Sequence, residues 1–103
     1  MIYHITYRND WEKAVQLGYY ASPSLPEEGF IHCSEEQQLD ATLAKYYTGK
    51  SGLVKLVIDP AKLESSLIHE WSPSNTQTFP HIYGPINIDA VQDVVELTQP
   101  AHQ

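Results

Sequence analysis

Short apolar segments near turn-forming residues are the feature that most limits how this chain can fold. The clearest are IYHITY at the start, GFIHCS at residues 29–34, LVKLVID at 53–59, LIHEW at 67–71 and FPHIYGPI at 79–86. Their β-branched and aromatic residues are typical of short β-strands. A further strand is predicted between Asp89 and Thr98 after a tight turn at residues 88–90, although its apolar spacing also allows a helix.

Two helices are predicted between these strands. Asp10 is placed to cap a short helix that ends at Gly18. Ser34 with Gln37 three residues later fits a capping box for a second helix, which ends at Gly49. The apolar stripe of that helix consists of Leu39, Leu43, Tyr46 and Tyr47. Short strands with two helices predict an α+β fold with small, mainly antiparallel sheets.

Two connecting segments are rich in proline, serine and other turn-forming residues. The stretch at residues 19–28, YYASPSLPEE, is predicted to be a surface loop that leads directly to His32 and contacts a substrate. A second polar loop is predicted at residues 72–78. The Phe79–Pro80 bond that follows it could be cis.

Length and charge limit the classes of protein to which the chain can belong. Its 103 residues predict a single domain, with a core at residues 2–98 and a frayed tail at 99–103. Because 13 acidic and 6 basic residues give a net charge of −7, the surface repels polyanions, and nucleic-acid binding is not expected. No apolar run approaches the roughly 20 residues of a membrane span, and no leader is recognisable. We therefore expect a cytoplasmic protein that binds no membrane and is a monomer or weak dimer.

Four of the five histidines lie in the predicted strands: His4, His32, His69 and His81. Side chains two residues apart on a strand point to the same face. The groups that share a face are His4 with Thr6 and Arg8, His32 with Ser34, and His81 with Tyr83. Three strands would thus each present an imidazole and a further polar group to one surface, which predicts a shared polar pocket.

Other interpretations of these residues remain open at this point. Any one of the histidines could be a half-buried residue that hydrogen-bonds the backbone. A zinc site formed by His4, His32 and His81 is a weaker alternative, because no two of them have the close spacing of many metal ligands, and no bound metal is predicted. The single cysteine, Cys33, excludes an internal disulfide and alternates away from His32, which predicts a small buried hydrophobic residue.

The order of these motifs resembles that of a known family. IYHIT, Trp11, EGFIHCS, a glutamine-containing helix, LVKLVID and FPHIYGP resemble, from about Ile2 to Leu97, the family catalogued as domain of unknown function 952. The fold of that family is similar to that of ADP-ribosyltransferases, with two small, bent antiparallel sheets around a nicotinamide-dinucleotide cleft. The resemblance implies this fold with two main helices, and NAD or a related ribosylated nucleotide as substrate, with no other cofactor.

The resemblance also implies roles for individual residues. His4 matches the first-strand position that hydrogen-bonds the nicotinamide ribose. The aromatic residue that stacks on the nicotinamide has three candidates: Tyr19, Tyr20 and Tyr83. Glu70 is the strand-borne carboxylate for the position that stabilises the cationic, oxocarbenium-like transition state. Because Glu70 alternates with His69, only one of these two can face the cleft.

Several functions are compatible with these residues. The first is a ribosyl-transferring enzyme in which His4 and His32 bind and polarise the substrate and Glu70 or His81 is the general base. Its substrate-binding residues would be Thr6, Arg8, Ser34, Tyr19, Tyr20 and Tyr83. The alternatives are a module that binds a nucleotide or metabolite without turnover, a three-histidine metal-dependent hydrolase, and an interaction domain whose histidines only join the sheets.

Overall fold

The computed structural model describes residues 1–97. In chain order their elements are β1 (Ile2–Tyr7), α1 (Arg8–Leu17), β2 (Tyr19–Tyr20), α2 (Ser24–Glu28), β3 (Ile31–His32), α3 (Leu39–Tyr46), β4 (Leu53–Ile58), β5 (Ser66–Ser72), β6 (Gln77–Tyr83), β7 (Ile86–Asn87) and β8 (Val91–Leu97). Single 3₁₀ turns lie at Glu36–Gln38, Pro60–Lys62 and Ile88–Ala90. Helices and strands of this kind confirm the α+β class. The predicted tail at 99–103 lies outside the described residues.

The strands form two three-stranded antiparallel sheets and one two-stranded antiparallel pair. The first sheet has the order β1-β4-β8 and the second β3-β6-β5, while β2 pairs with β7. A single bridge between Tyr3 and Ser34 joins the two larger sheets, with N–H···O distances of 2.9 and 2.8 Å. The two sheets therefore meet beside β3, the strand that carries His32.

The register between β3 and β6 decides which side chains enter the core. Ile31 lies opposite Ile82 and His32 lies opposite His81. Both isoleucines are 0 % exposed, and burial of each contributes about 1.5–3 kcal/mol to stability. Because side chains alternate along a strand, burial of the isoleucines directs both histidines to the other face. A shift of the register by one residue would turn histidine towards the core and isoleucine away from it. Hydrophobic packing therefore fixes the position of the histidines.

The first helix begins earlier than its sequence predicts. It starts at Arg8, directly after β1, and Tyr7 occupies the N-cap position without a side-chain cap. The prediction that Asp10 caps the helix was wrong, since Asp10 lies within its first turn. The backbone N–H of Arg8 donates to the Gly52 carbonyl at 2.8 Å, so that donor needs no side-chain cap. The predicted end at Gly18 is confirmed by a left-handed conformation with φ +91°.

The capping box before α3 lies one residue later than predicted. Glu35 and Gln38 form it, and the Glu35 N–H donates to the Gln38 side chain at 2.8 Å. Ser34 cannot serve as the cap, because its backbone N–H and carbonyl are both bonded to Tyr3. Pairing with the other sheet therefore overrides the local signal at Ser34 and Gln37.

The predicted surface loop at residues 19–28 contains two short elements instead. Tyr20 pairs with Ile86 and is only 3 % exposed, so the start of this segment belongs to the core. Helix α2 then ends at Gly29, whose N–H donates to the Leu25 carbonyl. The prediction of an irregular loop was wrong here because the burial of Tyr20 is a tertiary effect.

The later segments agree more closely with the predictions. The turn after β5 is shorter than the predicted loop, because the paired strands extend to Ser72 and resume at Gln77. Residues 1–97 contain no cis peptide bond, so the Phe79–Pro80 bond is trans and lies within β6. The last element is the strand β8, preceded by the predicted turn and paired with β4. None of the helices within residues 1–97 is long and apolar enough to cross a membrane.

Candidate functional site

A cavity of about 780 Å³ lies where the two larger sheets meet. One part of its wall comes from strands β1, β2, β3 and β6 with helices α1 and α2, and the other from α3 and from the end of β5 with the turn that follows it. The predicted site residues in this wall are His4, Thr6, Tyr20, His32, Ser34 and His81. The cavity thus brings together the three histidines that strand alternation places on one surface.

His4 is buried in this wall, and both of its ring nitrogens have partners. Nδ1 lies 2.6 Å from the His32 carbonyl oxygen, and Nε2 lies 2.8 Å from the Tyr20 hydroxyl. The Tyr20 hydroxyl is also 2.9 Å from the Thr6 hydroxyl. Burial lowers the pKa of His4 from 6.5 to about 4, so the imidazole is neutral near pH 7.

The protonation of His4 fixes the direction of these hydrogen bonds. A carbonyl only accepts, so Nδ1 carries the single ring proton and Nε2 must accept from Tyr20. The Thr6 hydroxyl, 2.9 Å from the Tyr20 oxygen, joins the same hydrogen-bonded group. Burial also raises the pKa of Tyr20, so this hydroxyl keeps its proton. The resulting chain of hydrogen bonds holds β1, β2 and β3 together.

His81 lies on β6 with its ring 5.3 Å from that of His32, centroid to centroid. Nδ1 lies 2.7 Å from Oε1 of Glu70, whereas Nε2 forms no hydrogen bond with any residue of the segment 1–97. The ring of Phe30 stacks on His81 at 4.1 Å with an interplanar angle of 17°. When Nδ1 carries the proton donated to the carboxylate, Nε2 is left as a proton acceptor. Glu70 thus holds the imidazole of His81 through Nδ1, while Nε2 can accept a proton.

Glu70 accepts a second hydrogen bond on the same oxygen, from the Tyr83 hydroxyl at 2.5 Å. The hydrogen bonds from Tyr83 and from His81 lower the pKa of Glu70, while the carboxylate raises the pKa of Tyr83. Neither residue lines the cavity itself. The neighbouring His69 instead contacts Glu35 at 2.9 Å, so of the two alternating residues it is Glu70 that lies beside His81.

His32 has a carboxylate partner that its sequence does not reveal. Its Nε2 lies 3.2 Å from each oxygen of Glu28, at the end of α2, and its side chain is 53 % exposed. Phe30 packs edge-on against His32 as well as stacking on His81. The contact of Phe30 with His32 could have been predicted from the sequence, because the two residues are two apart on a predicted strand. The contact of Glu28 could not, because its position depends on the helix α2 within a segment predicted to be a loop.

Besides Tyr83, two predicted substrate-binding residues lie outside the cavity wall. Arg8 begins α1, where strand alternation no longer applies, and its guanidinium lies 2.5 Å from Glu96. Tyr19 is 45 % exposed, since the adjacent Tyr20 occupies the inward position on β2. Ser34 does line the cavity, and its hydroxyl lies 3.3 Å from that of Thr42 on α3.

The geometry gives no support to a metal centre in the described part of the chain. Within residues 1–97, no group of three or more histidine, cysteine, aspartate or glutamate side chains is arranged to hold a metal ion. The nitrogens of His4 are already bonded to Tyr20 and to the His32 carbonyl. Cys33 is 3 % exposed, and burial raises the pKa of its thiol, in agreement with the small buried hydrophobic residue predicted from its parity.

The fold and the cavity define a small α+β domain with two joined antiparallel sheets and a cleft that contains three histidines. The chain belongs to the family described as "Protein of unknown function (DUF952)", whose family model matches residues 5–94. The family indicated by the order of the sequence motifs is thereby confirmed.

Solved structures with the same fold come from Caulobacter crescentus. The crystal structure of its protein CC0527 is 33% identical to this chain with a TM-score of 0.88, and the match covers 97% of this chain and 88% of that one. The solution NMR structure of CC0527 is 31% identical with a TM-score of 0.78, covering 97% and 86%. The search of curated proteins found no match.

Proposed function

We propose that this chain is an enzyme that cleaves or transfers the ribosyl group of a nicotinamide-type ribosylated substrate, with His81 as the general base. The observation that carries the proposal is the Glu70–His81 pair at the cavity wall. Glu70 fixes the Nδ1–H form of His81 through a 2.7 Å contact, and Nε2 has no partner within residues 1–97. Oriented imidazoles of this kind contribute typically 10²- to 10⁴-fold to a proton-transfer step.

The rest of the wall suits a ligand with a flat heterocycle. Its volume of about 780 Å³ falls within the usual range of small-molecule sites, roughly 300–1,000 Å³. The aromatic residues that line it are Tyr3, Tyr7, Tyr20, Tyr46, Tyr47, Trp71 and Phe79. Aromatic faces of this kind can stack on a nicotinamide-sized ring, and tyrosine hydroxyls can bind its polar edge.

The proposed reaction breaks the bond between ribose C1′ and the nicotinamide ring nitrogen. The bonding electron pair leaves with the nitrogen, so the cationic pyridinium becomes neutral nicotinamide. An oxygen of water or of an acceptor hydroxyl bonds to C1′, and its proton passes to Nε2 of His81. Of the two carboxylates that line the cavity, Glu28 lies beside His32 and is placed to stabilise the positive charge that develops on the sugar, while Glu70 stabilises protonated His81.

An ADP-ribosyltransferase-like fold forms part of this proposal. Two small antiparallel sheets that meet at a cleft support it. In this scheme His4 is a positioning residue, because its two nitrogens bind Tyr20 and the backbone of His32. It would act on a ribose indirectly, through the Tyr20 hydroxyl in the same wall.

A thermal-shift titration with nicotinamide riboside, nicotinamide mononucleotide and NAD tests whether the cavity binds this class. We expect at least one of them to raise Tm, since a ligand at one hundred times its Kd adds roughly 2.7 kcal/mol to the free energy of unfolding. Chromatography of the same mixtures should show free nicotinamide. No shift with any of the three at millimolar concentration would refute the proposal.

A Tm shift without release of nicotinamide would favour the binding module that the sequence also allows. One observation supports that alternative: aromatic and hydroxyl groups make up most of the cavity wall, and such groups suffice for binding without turnover. Measuring the released nicotinamide therefore distinguishes an enzyme from a module that only binds the ligand.

Replacing His32 with glutamine is expected to leave the free energy of unfolding within about 1 kcal/mol of the wild type. Its side chain is half-exposed, and the bond from His4 goes to the backbone carbonyl, which the substitution keeps. The ligand-induced Tm shift should fall, because the side chain lines the cavity. Urea unfolding and thermal shift measure the two effects. A destabilised variant with an unchanged shift would make His32 a structural residue instead.

A further inference from the structure

The charged side chains that line the cavity are mostly acidic. Two carboxylates, Asp10 and Glu28, share the wall with a single lysine, Lys50, and no arginine. Glu70 adds a third carboxylate just outside the wall, beside His81. The cavity therefore carries a net negative charge whenever its histidines are neutral.

Glu28 is the acidic residue of the wall that lies beside a histidine. Glu28 contacts His32 at 3.2 Å, and Asp10 is close enough to Tyr20 for its charge to help raise the pKa of that hydroxyl. Lys50 follows α3, and its backbone N–H donates to the Tyr47 carbonyl. Glu28 thus places a negative charge beside His32, where the proposed reaction takes place.

Among residues 1–97, Lys50 is the one cationic side chain of the cavity wall that could hold a phosphate. The single arginine of the chain, Arg8, is paired with Glu96 outside the wall. The turn that leads into α3 carries Glu35 and Glu36, which disfavour an anion there. A pyrophosphate bound here would meet carboxylates with one lysine to balance them, whereas proteins generally bind phosphates with arginine, lysine or free backbone N–H groups.

We infer that the cavity selects a cationic nucleoside, a pyridinium riboside without phosphate, over the corresponding nucleotides, and that Glu28 is the main determinant of this preference. The inference rests on the proposed function and narrows its substrate class. The positive ring of such a nucleoside is attracted by Glu28 beside His32, and the reaction removes that positive charge from the ring. Each added phosphate brings repulsion from Glu28 and Asp10, and Lys50 is the one cationic side chain in the described part of the wall that offsets it.

Isothermal titration calorimetry with three ligands tests the preference: nicotinamide riboside, nicotinamide mononucleotide and NAD. For the wild type at pH 7.5 we expect the mononucleotide to bind about tenfold more weakly than the riboside, from like-charge repulsion at moderate distance. Raising the salt concentration to about 0.5 M should reduce this ratio, because salt screens the repulsion. Tighter binding of NAD than of the riboside would overturn the inference while leaving the proposed function intact.

Glu28→Gln isolates the contribution of one carboxylate. In this variant we expect the mononucleotide to bind only about threefold more weakly than the riboside, since half of the acidic charge of the wall is gone. Glu27→Gln is the matched control: it removes the same charge from the same short helix, but from an exposed residue outside the cavity wall, and should keep the wild-type ratio. Equal ratios in both variants would overturn the role of Glu28. Absence of binding by all three ligands would instead refute the proposed function, and the inference with it.

Discussion

Replacing His81 with asparagine should slow the release of nicotinamide by about 10²- to 10⁴-fold. Asparagine retains a hydrogen-bonding group near Glu70 but cannot accept the proton of the attacking oxygen at neutral pH. The loss should appear in kcat at saturating substrate, because the missing interaction belongs to the transition state. Single-turnover chromatography with nicotinamide riboside and NAD measures it.

His69→Asn is the matched control for this experiment. His69 lies on the adjacent strand β5 and is also paired with a carboxylate, Glu35 at 2.9 Å, but it does not line the cavity. Its replacement should leave the rate within about twofold of the wild type, as expected for exposed positions away from the chemistry. Equal losses in the two variants, or full activity in His81→Asn with its fold intact, would exclude His81 as the general base.

Acidification should destabilise the fold through His4. Burial holds the pKa of His4 at about 4 in the folded protein, against 6.5 for a free histidine. As the pH falls from 6.5 towards 4, the unfolded chain therefore takes up a proton that the folded protein excludes. The stability contributed by neutral His4 is complete above pH 6.5, and about 3 kcal/mol of it is lost by the time the pH reaches 4.

Urea unfolding of wild type and His4→Gln at pH 7 and pH 4.5 isolates this contribution. The variant should be less stable at pH 7 by about 2 kcal/mol, because the Tyr20 hydroxyl and the His32 carbonyl lose their present partner. It should then lose much less stability than the wild type on acidification, since the other titrating groups are common to both proteins. An identical pH dependence in the two proteins would contradict a buried, neutral His4.

Strand alternation predicted the main feature of the candidate site because it depends only on local backbone geometry. His4 and Thr6 both contact the Tyr20 hydroxyl, and His81 and Tyr83 both contact Glu70, so each pair shares a face as its spacing requires. The same rule failed at Arg8, where the strand has already become a helix. Alternation therefore predicts the direction of a side chain only within a strand. Where a short strand ends depends on the segments that pack against it.

The carboxylate partners of the histidines illustrate what sequence spacing cannot supply. Glu28 reaches His32 only because Ser24–Glu28 is helical and ends at Gly29. The choice between His69 and Glu70 depends on the register of β5 against β6, in which Glu70 lies opposite Phe79. Neither fact follows from the local pattern, because each depends on a contact between segments distant in sequence.

The sequence by itself determined the α+β class, most of the strands, the left-handed helix end at Gly18 and the side of each strand on which a histidine lies. These features arise from side-chain alternation, β-propensity and the conformational freedom of glycine, which act within a few residues. Only the tertiary structure decided that Ser34 pairs with Tyr3 and that Glu70 holds His81. The first outcome depends on the contact between the two larger sheets, and the second depends on the register of β5 against β6, in which Leu67 lies opposite the buried Ile82.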